Sequence, residues 1–394
     1  MLEEITIKNF KSILNDTISL GRINVFIGEN GSGKSNILEA LTFASVAETY
    51  DTLDPDILYA NGFRVAKPSL ILNSFKGKKQ KKAVEISLKF TKDQMSYKLI
   101  PENNDNIFSK WINSSEKLES VFIKQIIKLF EENDESIRGH QERYLKDKEG
   151  FLSSLEKEFG IIKKKTKGYK DLSNYIIYTL NTEALRGIPE FQKSRKGIYG
   201  ETLDILIGSL TREELVTLKE YAYTLSWLDD FFIDNDDELK KSGYKLNRSK
   251  SLLYFKDKFM KKTNNIFSSE NSNEGILHIL FYLSTIISSK TPNLFAIDNI
   301  ETSLNPHLCR HTMKEICELA EKYNKQILIT THNPAILDGL NLFNNDIRLF
   351  EVSRTDSGDS ITRRIELKPE VEGKAYKLSE LWTNGYLGAI SERF

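Results

Sequence analysis

The segment GENGSGKS, Gly28–Ser35, constrains this chain more than any other stretch, because it fills the pattern G-x-x-x-x-G-K-[ST] completely. Such a loop works only where a buried strand delivers the chain to a sheet edge and a helix carries it away. Glycines let the backbone curl so that successive N–H groups face one point, and the helix adds its positive N-terminal end. Both flanks are present. Ile23–Gly28 is a short, nearly continuous apolar run, as expected of a buried strand. Beyond the loop, Ile37, Leu38, Ala40, Leu41 and Ala44 recur at helical spacing. The expectation is an ATP site in which Gly28, Glu29, Asn30, Gly31, Ser32, Gly33, Lys34, Ser35 and Asn36 surround the phosphates. Lys34 reaches the β- and γ-phosphates, and the Ser35 hydroxyl ligates Mg2+.

A phosphate loop needs an acid opposite its serine. Leu294–Ile297 is a second apolar strand, and it ends at Asp298, which is placed to hold Mg2+ through a water. The next residue is Asn299, an amide that cannot accept a proton as a general base. Three accounts remain open. Glu301, two residues on, is the base; hydrolysis is slow and ATP acts as a clamp; or Asn299 and His332 orient water without a strong base. Loss of a general base is worth ~10²–10⁴ in rate, so tight binding with slow turnover is expected. His332 closes the strand-like run Gln326–His332 and precedes Pro334. One strand-helix-strand step beyond Asp298, it reads as a γ-phosphate sensor.

Around these motifs the ends of the chain read as α/β. The first 30 or so residues predict two strands and the loop, with further strands at Ala83–Phe90 and Met95–Ile100. Helices are expected at Gly275–Ser288 and His307–Tyr323, with a closing hairpin around TDSGD. Between the ends the period becomes helical. Leu118, Phe122, Ile126 and Leu129 or Phe130 form one stripe, Leu152, Leu155 and Phe159 another, and Leu215, Leu218, Ala222, Leu225 and Leu228 a third. Asn174–Leu180 reads as a strand returning to the body. The predicted organisation is an N-terminal lobe over 1–105, a mostly helical insertion over 106–248 and a C-terminal lobe over 249–394.

Composition narrows the classes. Apolar residues are 39% and charged residues 28% of 394. With mean hydropathy −0.41 and no apolar run of about 18 residues, no membrane span is expected. MLEEITIKNF lacks the layout of a signal peptide, and 2 cysteines make no disulfide framework, so a cytoplasmic setting is expected. Lys plus Arg balance Asp plus Glu at 56 each, so net charge does not mark a nucleic-acid binder. Basic runs at Lys76–Lys82, Lys163–Lys170 and Lys193–Lys196 read first as solvated faces.

ITIKNFKSI, INVFIGENGSGKSNILEAL, LFAIDNIETSLNP and ILITTHNPAIL together resemble the ATPase heads of the ABC/SMC/RecF clade. Within it, NGFRVAKPSL, TLNTEALRG and KLSELWTNGYLGAI are similar to AAA-type ATPases of phage-defence operons, such as the Septu, PARIS and abortive-infection L systems. The resemblance covers roughly half the chain, and 106–248 carries little of it. It implies a P-loop NTPase head assembled from both lobes. It also implies a Walker A loop at Gly28–Ser35, a Walker B acid at Asp298, a D-loop at Ser303–Asn305 and a switch histidine at His332. Family heads sandwich two ATP molecules in a dimer, each loop facing a signature segment in trans. Here Leu-Ser-Gly-Gly-Gln is absent, and Ser272, Asn273 and Gly275 are the candidates. Lys11 and Ser12 lie where related heads touch phosphate or base. About 60 residues follow His332, too few for a Toprim nuclease, and Glu366-Leu367-Lys368 lacks an acidic partner. The resemblance therefore implies a separately encoded effector, with DNA as a further partner. A RecF-like repair ATPase is the alternative; a transporter subunit fits less well.

Overall fold

The protein is described by a computed structural model that covers residues 1–77, 80–115, 150, 154, 166–189, 197–223, 225–244, 248–366 and 377–387. Its centre is β3 (Ile23–Ile27), every residue of which is buried. A strand with no exposed face or edge needs neighbours on both sides. They come from the far end of the chain: β13 (Gln326–Thr330) and β14 (Ile347–Arg354), both parallel to it. β12 (Leu294–Ile297) lies parallel to β13, and β8 (Ile177–Tyr178) parallel to β12. β15 (Ser360–Ile365) closes the other edge as the antiparallel arm of a hairpin. The order is β15-β14-β3-β13-β12-β8.

A second six-stranded sheet is antiparallel. It contains β1 (Leu2–Phe10), β2 (Ile13–Ser19), β4 (Thr52–Leu53), β5 (Val84–Phe90), β6 (Gln94–Pro101) and β7 (Trp111–Asn113), in the order β2-β1-β5-β6-β7-β4. Between the sheets runs α1 (Lys34–Thr49). Phe26, Ala296, Leu328 and Phe350 of the parallel sheet share a core with Ile37, Leu41 and Phe43 of α1 and Ile5, Ile7, Ile86 and Leu88 of the antiparallel sheet. The alternate residues Val25, Ile27, Phe295, Ile297, Ile327 and Ile329 face the opposite core, against helices Glu274–Ile287 and Pro306–Lys322. A third sheet, β9 (Leu228–Ile233), β10 (Leu253–Asp257) and β11 (Ile266–Ser268), is antiparallel in the order β11-β10-β9.

Most predicted elements appear within a residue or two. Three differ in instructive ways. β2 was not expected: its middle, Asn15-Asp16-Thr17, is polar because the strand forms a sheet edge. The helix after the loop was expected to be apolar on one face, yet 12 of its 16 residues are buried because sheets cover it on two sides. The third helical stripe runs only over Arg212–Ala222; Leu228 instead opens β9, where it sits opposite Asp257. Spacing of three residues cannot separate a continuing helix from a turn that leads into a strand. The stripes at Leu118–Phe130 and Leu152–Phe159 lie outside the described residues. Leu172, Leu185, Leu203, Leu218 and Phe231 from 166–248 are buried in the two cores around the parallel sheet.

A buried amide adds to the strand pairing that joins the two ends of the chain. Gln326 accepts the Leu2 N–H at 2.9 Å and donates to the carbonyls of Leu2 and Gly21, both at 2.7 Å. Gln326→Leu keeps the volume and leaves these backbone groups without partners. It is expected to cost about 2–4 kcal/mol, seen as a lower denaturant midpoint at unchanged slope. A midpoint equal to the unaltered protein's would show that water replaces the amide.

Candidate active site

The loop's shape depends on its glycines and on what presses against them. Gly28, Gly31 and Gly33 have φ of 151°, 78° and 116°. A Cβ on Gly28 would lie 2.1 Å from the Val352 carbonyl, and one on Gly33 would lie 2.3 Å from the Ser360 hydroxyl. Both contacts come from the β14–β15 hairpin, which braces the loop from behind. Ser360 also meets the Ser12 hydroxyl at 2.7 Å and the Ser32 carbonyl. Asn36 donates to Ser12 at 2.7 Å, and Arg354 donates to the Gly31 carbonyl at 2.9 Å.

Lys34 is 5% exposed, and its ammonium donates to the carbonyls of Gly28 at 2.8 Å and Glu29 at 2.9 Å. Burial pulls its pKa down to about 8, against the pull of Asp298 and Glu301. One residue on, the Ser35 hydroxyl lies 3.0 and 3.1 Å from the two Asp298 oxygens. Thr330 completes this corner. It donates to Asp298 at 2.5 Å and accepts the Asn299 N–H at 2.9 Å. Sequence reasoning missed Thr330; the only signal was a hydroxyl closing an otherwise apolar strand. A hydroxyl and a carboxylate in contact are hard oxygen donors of the kind Mg2+ takes. The braced loop with its buried ammonium suits phosphate. The residues therefore fit Mg2+ at Ser35 and Asp298, with the phosphates on the loop and Lys34.

Asn299 has φ 58°, a left-handed conformation that asparagine adopts more readily than most residues. Its carbonyl accepts from the Thr302 N–H at 3.2 Å and hydroxyl at 2.8 Å. The turn sends Glu301 back toward the strand ends. There Oε1 accepts the His332 N–H at 2.8 Å, while Oε2 is buried with no hydrogen-bond partner among the described residues. The His332 pKa is lowered by burial and then by Lys34, while Glu301, Asp298 and a hydrogen bond to the Gly28 backbone oppose. Glu301, His332, Lys34 and Asp298 are thus brought together. β13 ends at Thr330, so His332 lies just past the strand.

The segment expected to face a partner in trans leads into helix Glu274–Ile287. Ser272 is buried, and its hydroxyl donates to the Ser269 carbonyl at 2.9 Å. Asn273 caps helix Glu274–Ile287 by accepting the Gly275 N–H at 2.8 Å. The Ser272 hydroxyl proton and the Gly275 N–H thus have partners within the chain. In the expected D-loop, Ser303 (φ 62°) donates to Glu274 at 3.0 Å, and Asn305 caps helix Pro306–Lys322 through the Leu308 N–H at 3.0 Å. Lys11 pairs with Glu39. Glu39 is buried and also holds Arg64, Nε to Oε1 2.6 Å. Arg64 lines a cavity of about 320 Å³ with Ser35, Asp298, Phe63, Tyr59 and Tyr199. Neither Glu39 nor Arg64 was singled out from sequence, since a mid-helix glutamate carries no motif. Leu367 and Lys368 lie outside the described residues.

The SMC head solved with the C-winged helix domain of ScpA superposes with TM-score 0.51 at 15% identity, over 93% of this chain and 98% of that one. The SMC head domain of Thermotoga maritima gives 0.47 at 12% identity, over 93% and 99%. The fold is that of an SMC-type P-loop head. In sequence, the DNA double-strand break repair Rad50 ATPase of Methanocaldococcus jannaschii is 36% identical over 103 residues. That is 26% of this chain and 8% of the relative, so the chain spans less than a tenth of the relative's length. A family model matches residues 23–338, the greater part of the chain, and by that match the protein belongs to the family described as AAA domain, putative AbiEii toxin, Type IV TA system.

Proposed function

We propose that the chain is an ATP-operated switch that hydrolyses its nucleotide slowly. The observation that carries this is the contact of Ser35 with Asp298, 263 positions apart, beside the buried Lys34 ammonium. Mg2+ held there would neutralise phosphate charge. Loop N–H groups and Lys34 hold the phosphates, and Thr330 fixes the Asp298 carboxylate. Glu301 is the proton acceptor, through Oε2, because Oε1 is engaged by His332. With Asn299 directly after Asp298, the base stands three residues beyond the acid instead of next to it, so turnover is slow. Two heads pair with ATP between them and control a separately encoded effector in a cytoplasmic anti-phage system. The toxin-antitoxin wording of the family description supports that setting. The Rad50 similarity supports the alternative, a DNA-repair ATPase. Co-purification with a neighbour-encoded protein favours the first reading; salt-sensitive duplex binding by the chain alone favours the second.

Lys34→Ala is expected to abolish uptake of labelled ATP, and Asp298→Asn to remove its Mg2+ dependence. Equal uptake by Lys34→Ala and the unaltered chain would end the proposal. Glu301→Gln should lower turnover by ~10²–10⁴ with ATP affinity unchanged; if turnover is fast and indifferent to this substitution, Glu301 is not the base.

The lowered Lys34 pKa predicts two opposite pH trends. Between about 8 and 10.5 the unfolded chain binds this proton and the folded one does not, so unliganded stability rises with pH there. Phosphates need the ammonium, so ATP affinity falls above about 8, approaching tenfold per pH unit. Calorimetric titration across this range checks the second trend, with Lys34→Arg as the flat control. A flat profile for the unaltered chain would remove Lys34 as the titrating contact.

A further inference from the structure

We propose that the tip of the β10–β11 hairpin is a docking surface for single-stranded nucleic acid. Residues 238–262 hold nine lysines and arginines against two acids, Glu238 and Asp257, in a chain whose basic and acidic residues are equal in number overall. Folding gathers part of this run at one turn. Lys258, Lys261 and Lys262 are exposed there, and Lys256 is half-buried at the end of β10. Between them stand two exposed apolar side chains: Phe259 is 76% exposed and Met260 49%.

The tip is built rather than loose. Asp257 accepts the Phe259 N–H at 2.7 Å, its own N–H reaches the Asn265 carbonyl at 2.9 Å, and Asn264 bonds the Lys261 carbonyl at 2.7 Å. The Asp257 carboxylate is therefore engaged locally. Lys258 lies over one face of the Phe259 ring, 5.1 Å from its centroid, which leaves the other face open. Of the acids on β9, Asp230 stands opposite Lys256 in the register and is engaged by Lys219 at 2.6 Å, and Asp229 beside it is exposed. Asp234, Asp236 and Asp237 follow the other end of β9, where Asp234 bonds Leu252.

A held aromatic ring among lysines matches a strand of unpaired bases, which stack on π-faces while lysines track the phosphates. A duplex hides its base faces, so charge complementarity and the free ring together select a single strand. The surface is separate from the nucleotide loop and does not depend on that reading. It is joined to the candidate signature, because β11 runs directly into Ser269–Asn271 and helix Glu274–Ile287.

The test is fluorescence anisotropy of the full chain with labelled oligothymidylate and oligouridylate over a salt series. Four lysines predict a log–log salt slope of about −3. Phe259→Ala should weaken binding about 5- to 100-fold at unchanged slope. Lys261→Ala with Lys262→Ala should remove about 1.4 of the slope. Both variants change exposed side chains and should keep the melting temperature and ATP uptake of the unaltered chain. The proposal is overturned if these variants bind like the unaltered chain. It is equally overturned if a duplex binds as tightly and ignores Phe259→Ala. Binding to phosphatidylserine vesicles, or self-association through the tip, in place of oligonucleotide binding would also overturn it.

Discussion

Five consecutive buried residues, Ile23–Ile27, set the terms for everything else. Neither their faces nor their edges reach water, so both ladders must be completed by strands from beyond residue 320. Because all three strands are parallel, their C-terminal ends emerge at one edge. The register pairs Phe26 with Thr330, and Ile297 with Ile329. Gly28, Asp298 and His332 then leave three neighbouring parallel strands at the same edge of the sheet, which is where open α/β sheets carry ligands. Closing loops of this length costs modest entropy, since the penalty grows only with the logarithm of loop length. Its larger effect is kinetic, because the site exists only after long-range pairing.

That logic explains what the sequence disclosed. Ile23–Ser35, Leu294–Asp298 and the run ending at His332 are written in local patterns: apolar runs of strand length, punctuated by glycine or by an acid. Their tertiary partners are not local. Thr330 matters because it stands between Asp298 and Asn299 in space, and nothing in its own neighbourhood records that. Glu39 lies in a helix that reads as one-sided, and its burial follows only from the antiparallel sheet on the other side. β2 and β9 were hidden for another reason. Edge strands carry polar residues and short apolar runs that also satisfy helical spacing.

The candidate signature segment also answers to a local need. Position and a helix N-terminus suggested Ser272 and Gly275, but the turn Ser269–Ser272 closes on itself and the cap is completed by Asn273. Capping is a local need that any helix start must meet. A group that meets it is not available to a partner unless the turn opens. Asn299 has a comparable local cause. The left-handed turn after Asp298 suits asparagine, and the same turn carries Glu301 to the His332 N–H. The amide after the acid and the displaced carboxylate are two consequences of one backbone conformation.

A polar chain links these pieces to residues 181–186. Arg186 pairs with Glu183 at 2.7 Å and reaches the Ser272 carbonyl at 3.4 Å. Thr182 touches the Ser303 hydroxyl at 3.4 Å and His278 Nε2 at 3.3 Å, and Ser303 in turn holds Glu274. Burial holds His278 near a pKa of about 4, so it stays neutral and serves as a hydrogen-bonding group rather than a charge. The start of helix Glu274–Ile287 and the turn at Ser303 therefore share their partners with one short segment between Leu180 and Gly187. Because β8, immediately before it, is paired with β12, that segment cannot shift without disturbing the strand that ends at Asp298. The Ser35–Asp298 corner, the helix start and the turn are thus joined through contacts of the segment TLNTEALRG.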